Sequence, residues 1–150
     1  MIARIATLRK FSRAGLLAIT LMCATALAVR DYATRHGCAI TDVSLLLVEL
    51  GGAFSAVIAV ERGQIVDGVG GSSGPMGVQA AGALDGEVAY LAGRITKQML
   101  FEGGAAAIAH AHDDDTLDWL ATPATPPAKV AWFAYMEGIV KAIATLLVSA

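Results

Sequence analysis

Two glycine clusters are the residues in this chain best suited to chemistry. Gly51-Gly52 sits between apolar runs, and Gly68-Val69-Gly70-Gly71-Ser72-Ser73-Gly74-Pro75-Met76-Gly77 places five glycines in ten residues. Glycine has no Cβ, so backbone N–H groups in such turns can close on an anion. A helix starting near Ala81 or Gly82 would add the positive end of its dipole. The established phosphate fingerprints are not met. Gly68-Val69-Gly70 would need a glycine at Ser73 to complete a dinucleotide pattern, and no Lys-Ser or Lys-Thr pair follows as a P-loop requires. From the residues alone the loop is either a ligand cradle or a structural turn, and both readings stay open.

A third cluster, His110-Ala111-His112-Asp113-Asp114-Asp115, carries imidazole and carboxylate groups suited to a metal. Such a run does not by itself close a four-coordinate sphere. An exposed acidic loop, with Asp115 capping a helix over 116–120, accounts for it equally well. Cys23 and Cys38 have no histidine or second cysteine at metal or catalytic spacing and read as ordinary small residues.

The elements that must hold the glycines follow from the apolar pattern. Ser44 to Leu50 reads as a short buried strand stopped by Gly51-Gly52, and Ala53 to Val60 as a second. Glu61-Arg62-Gly63 is a turn into a third strand, Gln64 to Asp67, so a hairpin results. From Gly82 the pattern turns helical through Ala83, Leu84, Val88, Ala89, Tyr90 and Leu91. Ala121 to Pro127 is a loop because proline breaks both helix and sheet. Ala128 to Val148 then reads as one long helix. Trp132, Phe133, Met136, Val140, Ile143 and Leu147 fall at helical spacing and are expected to face the core. Glu137 and Lys141 form an i,i+4 pair whose charges argue against membrane insertion.

The chain has 150 residues, 56% hydrophobic and 16% charged, with a net charge of −2. That suits one domain with a real core and excludes intrinsic disorder. Clustered bases for nucleic acid are lacking, so no nucleic-acid partner is expected. Residues 1–37 carry six bases against Asp31, a local +5, whereas 38–90 carry Arg62 against six acids, a local −5. The basic start leads into an uncharged stretch, Ala14 to Val29, with Ala26-Leu27-Ala28 ahead of Val29. This is the grammar of an export leader. It also suits a buried helix presenting Leu16, Ile19, Leu21, Ala24, Leu27 and Ala28.

Three separated segments match one family in order: Val48-Glu49-Leu50-Gly51-Gly52-Ala53-Phe54-Ser55-Ala56-Val57, Gly63 to Gly68, and Gly82-Ala83-Leu84-Asp85-Gly86-Glu87-Val88-Ala89-Tyr90-Leu91. Together they resemble an uncharacterised family of butyrate-kinase-like proteins in the acetate and sugar kinase, heat-shock-70 and actin superfamily. The resemblance runs from about Cys23 to the C-terminus and sets 1–22 apart as an unmatched stretch. It implies an α/β domain of ribonuclease-H-like, actin-like ATPase type, incomplete, with a β-hairpin followed by several helices. It also implies ATP and magnesium as cofactors. Glu49 would lie near the magnesium–phosphate site, Gly51 and Gly52 would present amides to phosphate, and Ser55 could add a hydroxyl. The loop Gly70, Gly71, Ser72, Ser73 and Gly74, together with Asp85, would face the cleft where phosphoryl transfer occurs, with Asp85 the candidate catalytic acid.

Members of that superfamily bracket the nucleotide between two domains. This chain shows no upstream first phosphate element, so the resemblance implies a fragment of a cytoplasmic kinase for a small carboxylate or sugar-like acceptor. By itself such a piece is expected to catalyse little. Its partners would be the remainder of the protein or a second copy. The alternatives are a small exported α/β binding module whose glycine loops are only turns, and a non-catalytic nucleotide-binding relative.

Overall fold

The computed structural model describes residues 13–111 and 117–148. Its first element is a long helix, α1 (Arg13–His36). The helix runs unbroken across Ala28–Val29, and its buried line is Thr25, Val29 and Ala33. That spacing of four is one helical stripe. It lies one residue off the expected face, and Leu27 is 55% exposed. The Thr25 hydroxyl donates to the Leu21 carbonyl at 2.8 Å, so a polar group sits in the stripe without a lost hydrogen bond. The bases Arg4, Arg9 and Lys10 ahead of α1 lie outside the described residues.

Three strands follow: β1 (Leu45–Leu50), β2 (Ser55–Glu61) and β3 (Gln64–Gly70), paired antiparallel in the order β1-β2-β3. β3 continues three residues past the expected Asp67. Arg62 and Gly63 both have positive φ, 51° and 75°, which a two-residue hairpin loop of the primed type requires. Residues 55–60 are all buried, because β2 is the central strand and is covered on both faces. Val57 and Ala59 face one way, Val60 the other, where it packs with Val29 and Ala33 of α1 and with Val43.

The remaining helices are short apart from the last: α2 (Gly86–Ala92), α3 (Lys97–Phe101), α4 (Ala105–Ala109), α5 (Leu117–Ala121) and α6 (Pro126–Leu147). α2 starts four residues later than expected. Gly82 has φ +80° and Ala83 donates its N–H to the Gly74 carbonyl at 2.9 Å, so 82–83 form a turn that closes the glycine loop. The proline loop ends earlier than expected, since Pro126 and Pro127 occupy the first turn of α6. The N–H groups they lack would have had no intrahelical acceptor there. Thr125 caps the helix by accepting from the Ala128 N–H.

α6 lies over β2 and packs against α4, burying Ala128, Ala131, Tyr135, Ile139, Ala142 and Leu146. This corrects the expected stripe. Phe133 is 71% and Val140 59% exposed, and the bulky residues Trp132, Met136 and Ile143 only flank the core. Three alanines in the buried line let the helix approach its neighbours closely, which larger side chains there would prevent. Among the described residues, α6 is the one helix long and apolar enough to cross a membrane. It carries the exposed Glu137–Lys141 ion pair, at 2.7 Å.

Candidate functional site

The face of the sheet toward α1 forms the floor of a cavity of about 760 Å³. Directly opposed residues of an antiparallel pair share a face, and Glu49, Ala56 and Gly70 make one row across the three strands. Ala56, Ile58, Gly68 and Gly70 make the floor, and Leu21 and Met22 of α1 make one wall. α3 adds Lys97, Leu100 and Phe101 to the lining, and Phe54 joins them. Phe54 meets Phe101 edge to face, ring centroids 5.0 Å apart, an arrangement that fixes both rings. Among the described residues Lys97 is the single charged side chain of the lining, its ammonium 5.3 Å from the Phe101 ring centroid.

The second glycine cluster supplies the rim. Gly70, Gly71 and Ser72 line the cavity, and a 3-10 turn runs from Gly71 to Ser73. The opening N–H groups of such a turn have no intrahelical acceptor and can serve a ligand. Gly71 has φ +65°, which favours glycine, whereas Gly70 is needed for space: a Cβ there would lie 2.6 Å from that of Ala56. Ser73 and Gly74 face inward to the turn. The Ser73 hydroxyl donates to the Gly70 carbonyl at 3.2 Å, and the Gly74 N–H donates to that of Gly71 at 3.4 Å.

The first cluster stands apart from the cavity. Gly51 donates its N–H to the Phe54 carbonyl at 3.0 Å and so holds the β1–β2 turn. Gly52 is exposed, with open space where a Cβ would go. Glu49 is exposed near the end of β1 and is not among the lining residues, although Ala56 beside it is. Ser55 points to the other face. It is 1% exposed, and its hydroxyl donates to the Tyr135 phenol at 3.0 Å, so the ligand-hydroxyl expectation meets a packed side chain instead. Burial raises the Tyr135 phenol above its ordinary value, an effect the Ser55 hydrogen bond opposes.

Asp85, the expected catalytic acid, is the N-cap of α2, accepting from the N–H groups of Glu87 at 2.9 Å and Val88 at 3.1 Å. It is exposed and does not line the cavity. No group of three His, Cys, Asp or Glu among the described residues is placed to hold a metal. His110 forms the left-handed C-cap of α4, and His112 to Asp115 lie outside the described residues. What sequence reasoning missed is Lys97. Its signal was local, a base just after Thr96, whose hydroxyl caps α3 by accepting from Met99. Only the fold brings that base into one cavity lining with Gly70, Gly71 and Ser72.

Solved structures share this architecture. A propionate kinase from Francisella tularensis subsp. tularensis SCHU S4 superposes with a TM-score of 0.68 at 19% identity, over 82% of this chain and 34% of that one. An acetate kinase from Entamoeba histolytica superposes with a TM-score of 0.59 at 20% identity, over 83% and 35%. This chain thus spans about a third of the length of these structures. At such identities the likeness is one of fold, an α/β domain similar to acetate and propionate kinases. No curated protein matches the chain. A family match covers residues 3–150, taking in nearly all of the stretch that the kinase-like segments left unmatched, and the chain belongs to that family, described as Protein of unknown function (DUF1464).

Proposed function

We propose that this chain is the phosphate-binding part of an ATP-dependent phosphotransferase acting on a small carboxylate or sugar-like acceptor. The observation that carries the reading is the cavity that Gly70, Gly71 and Ser72 line together with Lys97, within a fold similar to propionate and acetate kinases. Phosphoryl transfer is catalysed mostly by positioning and by neutralising charge, and amides plus one ammonium supply both. Gly52 would present its amide to phosphate at the first turn, as Gly71 would at the second. Magnesium takes one or two carboxylates and leaves its other positions to phosphate and water. The exposed carboxylate of Glu49 fits that donor set and would hold the metal of magnesium-ATP. When bound, the metal neutralises phosphate charge. Asp85 has a capping role, and the reading assigns it no proton transfer.

The setting that follows is the cytoplasm, where ATP is available. The butyrate-kinase-like resemblance and the ribonuclease-H-like core belong to this same proposal. So does a second domain forming the other wall of the nucleotide cleft. A non-catalytic nucleotide-binding role is the second reading. It is favoured by a lining that shows no carboxylate or histidine among the described residues.

The test is calorimetric titration of the chain with magnesium-ATP, beside the Gly52→Asp variant. A Cβ at Gly52 meets nothing within 4 Å, so the variant should fold. Its carboxylate would repel phosphate, and affinity should fall roughly tenfold or more. Unchanged affinity overturns the assignment of the first turn. Transfer of phosphate from ATP to a panel of carboxylates and sugars, measured on the complete protein, then separates the catalytic reading from the second one.

A further inference from the structure

The cavity is larger and more apolar than a two- or three-carbon acid requires. Its volume of about 760 Å³ falls within the range of pockets that enclose drug-sized ligands. Leu21, Met22, Ile58 and Leu100 give it aliphatic walls, and the Phe54–Phe101 pair adds aromatic surface. Among the described residues of the lining, charge enters at one place, Lys97, in the cavity that Gly70, Gly71 and Ser72 also line. We infer that this cavity binds an amphipathic monoanion, an arylalkanoate or medium-chain alkanoate with an apolar body of roughly six to ten carbons. As an acceptor class this rests on the phosphotransferase reading, whereas as a binding site it stands on the cavity itself.

The chemistry decides against a sugar. A polyhydroxylated ligand seated against Leu, Ile and Phe would turn some hydroxyls onto side chains that offer them no partner, and each polar group desolvated in that way is costly. An alkyl or aryl body gains by leaving water, and a carboxylate at one end can pair with the Lys97 ammonium. Lys97 is placed for this by its own local structure. Thr96 caps the turn from which it projects, and the ring of Phe101 lies beneath its ammonium.

The experiment is calorimetric titration of the full chain with acetate, butyrate, hexanoate, octanoate, 4-phenylbutyrate, 1-octanol and glucose, with magnesium-ATP titrated in parallel. Affinity should climb roughly fourfold per methylene from butyrate to octanoate. 4-Phenylbutyrate should bind at least as well as hexanoate, and glucose should not bind. Lys97→Gln, a change at an exposed position, should weaken octanoate roughly tenfold while leaving 1-octanol unaltered. A second variant, Met22→Glu, changes a side chain 59% exposed at the cavity wall and should weaken octanoate and 1-octanol alike. Absence of octanoate binding, equal affinity for acetate and octanoate, or preference for glucose overturns the inference. Length-dependent carboxylate binding without magnesium-ATP binding supports the inference and overturns the phosphotransferase reading. Nucleotide binding with no dependence on chain length does the reverse.

Discussion

Tyr135 has no exposed surface, yet its phenol is satisfied by the Ser55 hydroxyl at 3.0 Å. This bond ties α6 to the first residue of β2, one residue from Phe54 of the cavity lining. Tyr135→Phe leaves the Ser55 hydroxyl buried without its acceptor and should cost about 1–2 kcal/mol. Thermal unfolding should register that as a fall of roughly 3–6 °C. The variant should also change the pH dependence. A phenol raised in the folded state contributes stability that is whole below its ordinary value near 10 and drains away as pH climbs past it. Denaturant titrations between pH 8 and 11 should therefore show a shallower alkaline decline in the variant. An unchanged slope would mean that Tyr135 does not carry it. The sequence offered Ser55 as a hydroxyl near a glycine turn, which is true of its position in the chain. Its side is decided by the β2 register, where Ser55 alternates away from Ala56 and the cavity. One residue of parity separates a ligand group from a packing group.

At the scale of elements the same parity governs α6. Its helical period was plain in the sequence, and so was its length, but the buried stripe follows the small residues. Ala128, Ala131 and Ala142 are buried while Phe133 and Val140 are exposed. Hydrophobicity alone favours the larger residues; close approach to α4 and β2 favours alanine, and close approach wins. Two substitutions separate these views. Ala131→Leu forces extra volume into a filled site and should cost about 1–3 kcal/mol. Phe133→Lys should leave the melting temperature nearly unchanged, because the ring it removes is 71% exposed. Opposite outcomes in thermal melts would restore the stripe through Phe133. The strands were legible to within a few residues, since glycines and alternation mark their ends. The start of α2 was not, because its true signal is the Asp85 cap and the apolar residues before it lie in a turn.

For the whole molecule the decisive assembly is α1 on the sheet, which the sequence left divided between leader and buried helix. In the structure α1 does two jobs at once. Val29 and Ala33 close the core over Val43 and Val60, and Leu21 and Met22 wall the cavity. No local pattern could reveal the second job, because the cavity is made by residues from 21 to 101 that meet only on folding. Lys97 escaped notice for the same reason. A chain beginning at Val29 tests how far the cavity depends on this helix. It keeps Val29 and Ala33 but strips away the cavity wall, the buried Thr25, and most of a helix whose last eight residues are too few to hold their own turn. Leu21 and Met22 are only partly buried, so losing their contacts corresponds to roughly 1–3 kcal/mol. Thermal unfolding of the shortened chain should begin many degrees lower, and octanoate binding should disappear even where folding is restored by cooling. Full stability with intact binding would mean that α1 only rests on the sheet, and the cavity would then have to be built by the β3 rim and α3 alone.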